Sequence, residues 1–232
     1  MNNISIIPIN NLPEFEPKYD LADEIVKSFS SNNFVLEDKD IIVITQKIVS
    51  KVEDRLIKND NESIEKLIQQ ESLEILRKRG DTVIARTKHG FICANAGIDK
   101  SNIEKGSVLL LPEDPDKTSR DVRKKIEHVT NKKISIIICD TFGRAWRKGQ
   151  TNVAIGSSGI QPLESYLGEK DAFDNELFAT EIAIIDELAG AAELVMKKSD
   201  NIPVAIIRGV NYKYSDLGVK ELIRKEDEDF FL

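Results

Sequence analysis

The chain has 232 residues, 41% of them hydrophobic and 31% charged, enough for one large domain or two small lobes around a sizeable core. Its formal net charge of -7 excludes a general attraction to nucleic acid or an anionic membrane, so a polyanionic substrate must be met by local Lys and Arg groups or by metal ions. No apolar run approaches the ~20 residues that span a bilayer.

Met1 to Pro8 lacks a basic flank and a cleavage site, and reads as a first strand rather than a signal peptide. Ile41 to Ile44 reads as a buried strand. Asn61 to Arg79 carries Ile64, Leu67, Ile68, Ile75 and Leu76 at helical spacing, with Asn61 to cap it and Gly80 after its end. Thr82 to Arg86 and Phe91 to Ala94 flank Lys88-His89-Gly90 as a hairpin, and Ser107 to Leu111 is a further strand. Val122, Ile126 and Val129 mark a helix capped among Asp116, Thr118 and Ser119. Ile134 to Cys139 is the strongest strand signal, apolar at nearly every position like a central strand covered on both faces. Ile182, Ile185, Leu188, Ala192 and Val195 form a helical stripe. Pro203 to Ile207 reads as a late strand and Ser215 to Arg224 as a last helix. Alternating helices and strands predict an α/β class, mixed α+β in detail, with no repeat and no linker that would mark a domain boundary. Cys93 and Cys139 lie in separate apolar runs and read as reduced, buried thiols of a cytoplasmic protein.

Polar residues at strand exits are the natural place for chemistry, because the strand fixes the backbone while the loop stays open. Four such exits stand out. After Ala94, Gly97 permits a tight turn and Asp99 and Asn102 offer oxygens suited to hard cations, or else form an Asx-rich turn. After Cys139, Asp140 and Thr141 present a carboxylate and a hydroxyl that can face one metal and its phosphate, unless Asp140 only caps the next segment. Arg144, Arg147 and Lys148 follow around Trp146, as an anion clamp or as a solvated basic turn. After Ile44, Thr45 and Lys51 with the backbone N–H groups of a following helix would suit phosphate, or be a capped helix with an exposed lysine. Thr151 to Gly159 ends in Gly-Ser-Ser-Gly, which admits close approach of a ligand or simply makes a turn. No GxxxxGK(S/T) or GxGxxG motif occurs, so a nucleotide must be held by other means. His89 and His128 are the only histidines, in charged surroundings that fit neither a Ser-His triad nor zinc.

Taken together, VITQKIVSKVEDR, GFICANAGIDKSN, LLPEDPDK, CDTFGRAWRKGQTNVAIGSSGI, GEKDAFDNEL, DELAGAAELVM and IPVAIIRG resemble the coenzyme F-420:L-glutamate ligase family, in the family's order from about residue 40 to residue 209. NNLPEF near the start resembles its first nucleotide loop. The resemblance implies a GTP-dependent enzyme that adds L-glutamate to the lactyl carboxylate of F-420-0, and often a second, gamma-linked glutamate. It implies a pair of divalent ions (Mg²⁺ or Mn²⁺), a stimulating K⁺, and two interleaved lobes around mixed sheets in an intertwined homodimer. By motif position Asp99, Asp140 and Thr141 match metal ligands, and Leu12, Pro13, Glu14, Phe15, Thr45, Gln46, Lys51 and Asn102 match GTP contacts. Arg144 and Arg147 are expected to neutralise phosphate or substrate carboxylates beside Asp99 and Asp140. The loop Lys197-Lys198-Ser199 falls on the family's second-metal and nucleotide segment, which usually reads Met-Gly-Glu or Met-Gly-Gln. A protonated lysine at 198 cannot ligate a divalent cation, so its ammonium would serve phosphate instead, or Asp200 would supply the ligand. The alternatives are a same-fold ligase for another carboxylate, or a protein that binds GTP or the deazaflavin without turnover.

Overall fold

A computed structural model describes residues 3–58, 64–101 and 103–230. Its centre is a five-stranded mixed sheet built from β1 (Ser5–Ile9), β2 (Ile41–Thr45), β8 (Ser135–Arg144), β9 (Arg147–Ser158) and β12 (Val204–Arg208), in the order β1-β12-β2-β8-β9. β2 and β8 pair in parallel and the other neighbours pair antiparallel. Ile41 to Ile44 and Ile136 to Ile138 are buried at every position, so both faces of these strands are covered, as their unbroken apolar runs require. The cover comes from α1 (Leu21–Ser31), α4 (Pro115–Thr130), which lies on β8 and β9, and α5 (Ile184–Met196), which crosses β9, β12 and β1.

A smaller antiparallel sheet, β4 (Ser72–Arg79), β5 (Thr82–Thr87) and β6 (Ile92–Ala94), packs with α3 (Ile64–Glu71) around its own core of Ile68, Val83, Ala85 and Ala96. Between the two sheets run α2 (Gln46–Val52) and the ribbon of β3 (Leu56–Lys58) with β7 (Ser107–Leu109), while β10 (Glu164–Ser165) and β11 (Glu181–Ile182) form a peripheral pair. The mixed α/β class is as the sequence predicts. None of the helices is long and apolar enough to cross a membrane, among the described residues.

Three sequence expectations change. The helix expected over 61–79 is only α3, and Ser72 to Arg79 becomes a strand, with Gly80 in the two-residue turn (φ +58) that joins it to β5 instead of closing a helix. The Gly80 turn folds this segment back onto β5, and that pairing, not local helical spacing, decides its structure. The proposed cap Asn61 lies outside the described residues. The helix expected over 215–224 is reduced to a 3₁₀ turn at Val219–Leu222. Here the buried Asp116 carboxylate accepts the N–H groups of Val219 and Ser157 at 3.0 and 2.9 Å, and Asp216 accepts from Arg123 at 2.7 Å, fixing the tail as an extended strap. The N-cap of α4 is Asp114, accepting from the Lys117 N–H at 2.9 Å, with Pro115 in its first turn.

The Gly-Ser-Ser-Gly segment is strand and not ligand loop. A Cβ on Gly156 would lie 2.5 Å from backbone atoms of Pro115, so the close approach that glycine permits is that of α4. Ser158 accepts from Arg123 Nε at 2.7 Å and is buried. Gly156→Ala is expected to destabilise the fold by about 1–3 kcal/mol, the usual range for overpacking, visible as a lower denaturation midpoint with an unchanged slope. An unchanged midpoint would show that α4 can move away freely.

Candidate active site

The parallel register of β2 on β8 puts Thr45 beside Cys139. Segments leaving both strands therefore start from the same edge of the sheet, and Asp140 follows immediately on one of them. Contrary to the sequence reading, Asp140 does not stand at a strand exit. β8 runs on to Arg144 because β9 continues to pair with it. Only the apolar run ends at Cys139, and a register shift between Ile138 and Cys139 interrupts the ladder just before Asp140.

Asp99 arrives from the other lobe. After β6, Asn95, Ala96 and Gly97 all adopt positive φ (52°, 54° and 74°), a turn locked by Asn95 Oδ1 accepting from the Val83 N–H at 3.0 Å. Asp99 is then held by a two-hydrogen-bond bridge to Leu109, each bond 2.9 Å. Its carboxylate receives Lys47 Nζ at 2.9 Å and the Ser101 N–H at 2.7 Å. Burial works against its charge, but the contacts from Lys47 and Ser101 outweigh it and hold the pKa below the usual carboxylate range. Asp140 is in the opposite condition. Burial pushes it up to about 7 against a hydrogen bond from the Thr141 backbone, and the Asp99 charge adds to the rise. Two carboxylates of different lobes thus face each other across one cleft of about 460 Å³, lined also by Lys47, Cys93, Asn95, Ser101, Thr141, Phe142, Gln150 and Lys198.

A second cleft, of about 270 Å³, adjoins it and is lined by Leu12, Pro13, Glu14, Phe15, Thr45, Lys47, Ile48, Lys51, Lys197, Lys198, Asn201, Ile202 and Pro203. Lys47 and Lys198 border both clefts. Six of the residues matched to nucleotide contacts thus gather here, Leu12 to Phe15 from the loop after β1 and Thr45 and Lys51 from the start and last turn of α2, together with Lys197 and Lys198. Lys51 is ion-paired with the exposed Glu14. Thr45 precedes α2 without using its side chain as a cap. Gln46 is buried beneath, its Oε1 accepting from Ser50 at 2.8 Å while its amide nitrogen has no partner among the described residues. Ser199 turns to Asp200 at 3.0 Å and does not line either cleft, and Asp200 pairs with Lys197 at 3.2 Å. Arg144 and Arg147 pair at the hairpin tip around the exposed Trp146, beyond the lining of both clefts, and Arg144 donates to the Lys148 carbonyl at 2.9 Å. Asn102 lies outside the described residues.

Sequence reasoning missed Lys47, Ser101, Asn152 and Glu193. Thr141 Oγ1 donates to Asn152 Oδ1 at 2.7 Å, and Asn152 Nδ2 donates to Glu193 at 2.9 Å. Lys47 stands two residues after Thr45 and was available as a cation at the strand exit. Asn152 and Glu193 gave no such signal, being a polar residue in a strand and an acid in a helix.

The donor set fits a hard divalent cation. Asp99 and Asp140 supply carboxylate oxygens from two directions, and Asp140, raised mainly by burial and further by the Asp99 charge, is a carboxylate whose ionised form a cation would favour. No group of three or more His, Cys, Asp or Glu side chains converges among the described residues, so phosphate and water oxygens would complete the shell, as Mg²⁺ favours.

The protein is thus of a mixed α/β class with two neighbouring clefts at one edge of its main sheet, the larger of which also takes residues from the minor lobe. The comparisons make this specific. Residues 10–209 match the family model described as F420-0:Gamma-glutamyl ligase, and the chain belongs to that family. It is 44% identical over 231 residues to the Coenzyme F420:L-glutamate ligase of Methanococcus maripaludis strain C7, covering 92% of this chain and 90% of that one. It is 43% identical over 216 residues to the protein of that name from Methanocaldococcus jannaschii, covering 85% and 86%.

Cys93 and Cys139 are buried free thiols, each pushed up to about 12 by burial with the Asp140 charge adding. Both stay protonated at neutral pH and are expected to resist iodoacetamide at pH 8 in the folded protein, while urea exposes both. Rapid alkylation of Cys93 without denaturant, read by intact mass, would contradict this.

Proposed function

We propose that this chain is a GTP-dependent ligase that joins L-glutamate to the lactyl carboxylate of F-420-0, releasing GDP and phosphate, and then adds a further gamma-linked glutamate. The observation that carries the reading is that Asp99 and Asp140 line one cleft, which shares Lys47 and Lys198 with a second cleft lined by Leu12, Pro13, Glu14, Phe15, Thr45 and Lys51, residues matched to GTP contacts.

A carboxylate is a poor electrophile, so amide formation requires its activation. In this reading the GTP γ-phosphoryl group moves to the coenzyme carboxylate, and the glutamate amine then attacks the acyl phosphate and displaces inorganic phosphate. The protein's contribution is positioning and charge neutralisation for in-line transfer. The smaller cleft holds the nucleotide, with Leu12, Pro13 and Phe15 as its apolar wall and Lys51 directed at phosphate, exchanging Glu14 for it. Lys47 orients Asp99, keeping its carboxylate ionised and turned into the larger cleft. Asp99 and Asp140, with the Thr141 hydroxyl beside them, would hold Mg²⁺ or Mn²⁺, which supplies phosphate charge neutralisation when bound. K⁺ acts as a stimulating ion. Arg144 and Arg147, at the hairpin tip, meet substrate carboxylates only as the chain of the coenzyme extends past Gln150. The active protein is a homodimer in the cytoplasm, and it binds neither nucleic acid nor membrane.

The test is incubation with F-420-0, GTP, L-glutamate and Mg²⁺, read as a mass gain of one or two glutamate residues on the coenzyme, with ATP and other amino acids in parallel. Gain only with ATP, or only with another amino acid, would replace the substrate assignment, and binding without gain would replace the ligase by a non-turnover protein. Asp140→Ala is expected to lower kcat/KM by ~10³-fold or more, about 4 kcal/mol of transition-state stabilisation. Near-normal turnover of that variant with Mg²⁺ would refute the metal assignment.

A further inference from the structure

Lys198 is exposed along its stem, its side chain 59% accessible, but its ammonium end meets three oxygens. Its Nζ lies 2.5 Å from Thr141 Oγ1, 3.2 Å from Asn152 Oδ1 and 3.1 Å from Glu193 Oε2. These three oxygens come from β8, β9 and α5, and they are already ordered by their own hydrogen bonds: Thr141 donates to Asn152, and Asn152 donates to Glu193. An isolated exposed ion pair gains little and tolerates many geometries; here the lysine stem is exposed, but three oxygen acceptors that are ordered by bonds among themselves, one of them anionic, converge on its ammonium. The set lies beside Asp140, and Lys198 borders both clefts. The backbone supports this aim. Lys197 adopts φ +50°, a conformation natural to glycine, in the sharp turn after α5 from which the Lys198 ammonium reaches the three oxygens.

We propose that the Lys198 ammonium is a resident cation occupying the Thr141–Asn152–Glu193 oxygen cage, so that this chain binds one divalent ion, at Asp99 and Asp140, and not the pair that its family resemblance implies. This rests on the reading of Asp99 and Asp140 as metal ligands for the count in the parent protein, but not for the occupancy of the cage. A single positive charge balances the one carboxylate of the cage, and the ammonium donates to the same kind of hard oxygen atoms that a divalent ion would take. In this arrangement Thr141 accepts from the lysine, and the ion at Asp99 and Asp140 completes its shell with phosphate and water oxygens. The chain carries within its own sequence a charge that would otherwise have to be recruited from solution, and nucleotide phosphate entering either cleft meets it already in place.

The experiment counts Mn²⁺ bound per chain in the presence of saturating GDP, by the loss of the free-ion electron paramagnetic resonance signal, for the parent, Lys198→Gln and Lys198→Glu. The parent is expected to bind one ion. Both variants remove the ammonium and add an oxygen ligand, and each is expected to bind one ion more than the parent. Two ions in the parent, or the same count in parent and variants, would overturn the proposal. No ion in the parent but one in the variants would overturn the Asp99–Asp140 reading while upholding the cage. Melting temperatures with and without Mn²⁺ separate a variant that fails to fold, and Lys198→Met, with no new ligand, is expected to keep the fold and to gain Mn²⁺ more weakly than Lys198→Glu.

Discussion

The parallel pairing of β2 with β8 is the contact on which the arrangement of the site depends. Its register sets Thr45 against Cys139, and the two chain segments that follow begin side by side although they are far apart in sequence. One contributes Lys47 and Lys51 from α2, the other Asp140 and Thr141 from the continuing strand. Ligands of α/β proteins gather at the carboxyl ends of parallel strands for this reason: the backbone there is fixed by the sheet but its side chains are free to face solvent. A one-residue slip would turn Asp140 to the opposite face and break the site without disturbing the apolar pattern of the strands.

The minor lobe is then tied to this edge electrostatically. Lys47 reaches across to Asp99 and Ser101, so the lobe that carries the turn Asn95–Gly97 is docked onto the main sheet by a partly buried ion pair. The same pair keeps Asp99 ionised, while Asp140 is raised chiefly by its burial, with the Asp99 charge adding and the Lys47 charge opposing. In a chain with a formal charge of -7, the local concentration of Lys47, Lys51, Lys197 and Lys198 around the two clefts is what makes them hospitable to phosphate.

Much of this could be read in the sequence. The central strands were legible because burial on both faces demands unbroken apolar runs, and Asp99, Asp140 and the loop at Leu12–Phe15 were legible from motifs. Other parts were not. The stretch Ser72–Arg79 carries helical spacing, and only its pairing with β5 makes it a strand. The tail after Gly209 is shaped by hydrogen bonds to Asp116 and Arg123, residues about a hundred positions earlier. Asn152 and Glu193 became site residues only when the β8–β9 hairpin and α5 were brought together. Lys198 was visible as a departure from a pattern, but its three oxygen partners were not.

Anomalous diffraction at the manganese edge from crystals grown with GDP and Mn²⁺ tests the central claim most directly. The account predicts a manganese peak bonded to Asp99 and Asp140 and touching a nucleotide phosphate. A nucleotide bound away from both carboxylates, with no manganese between them, would contradict it.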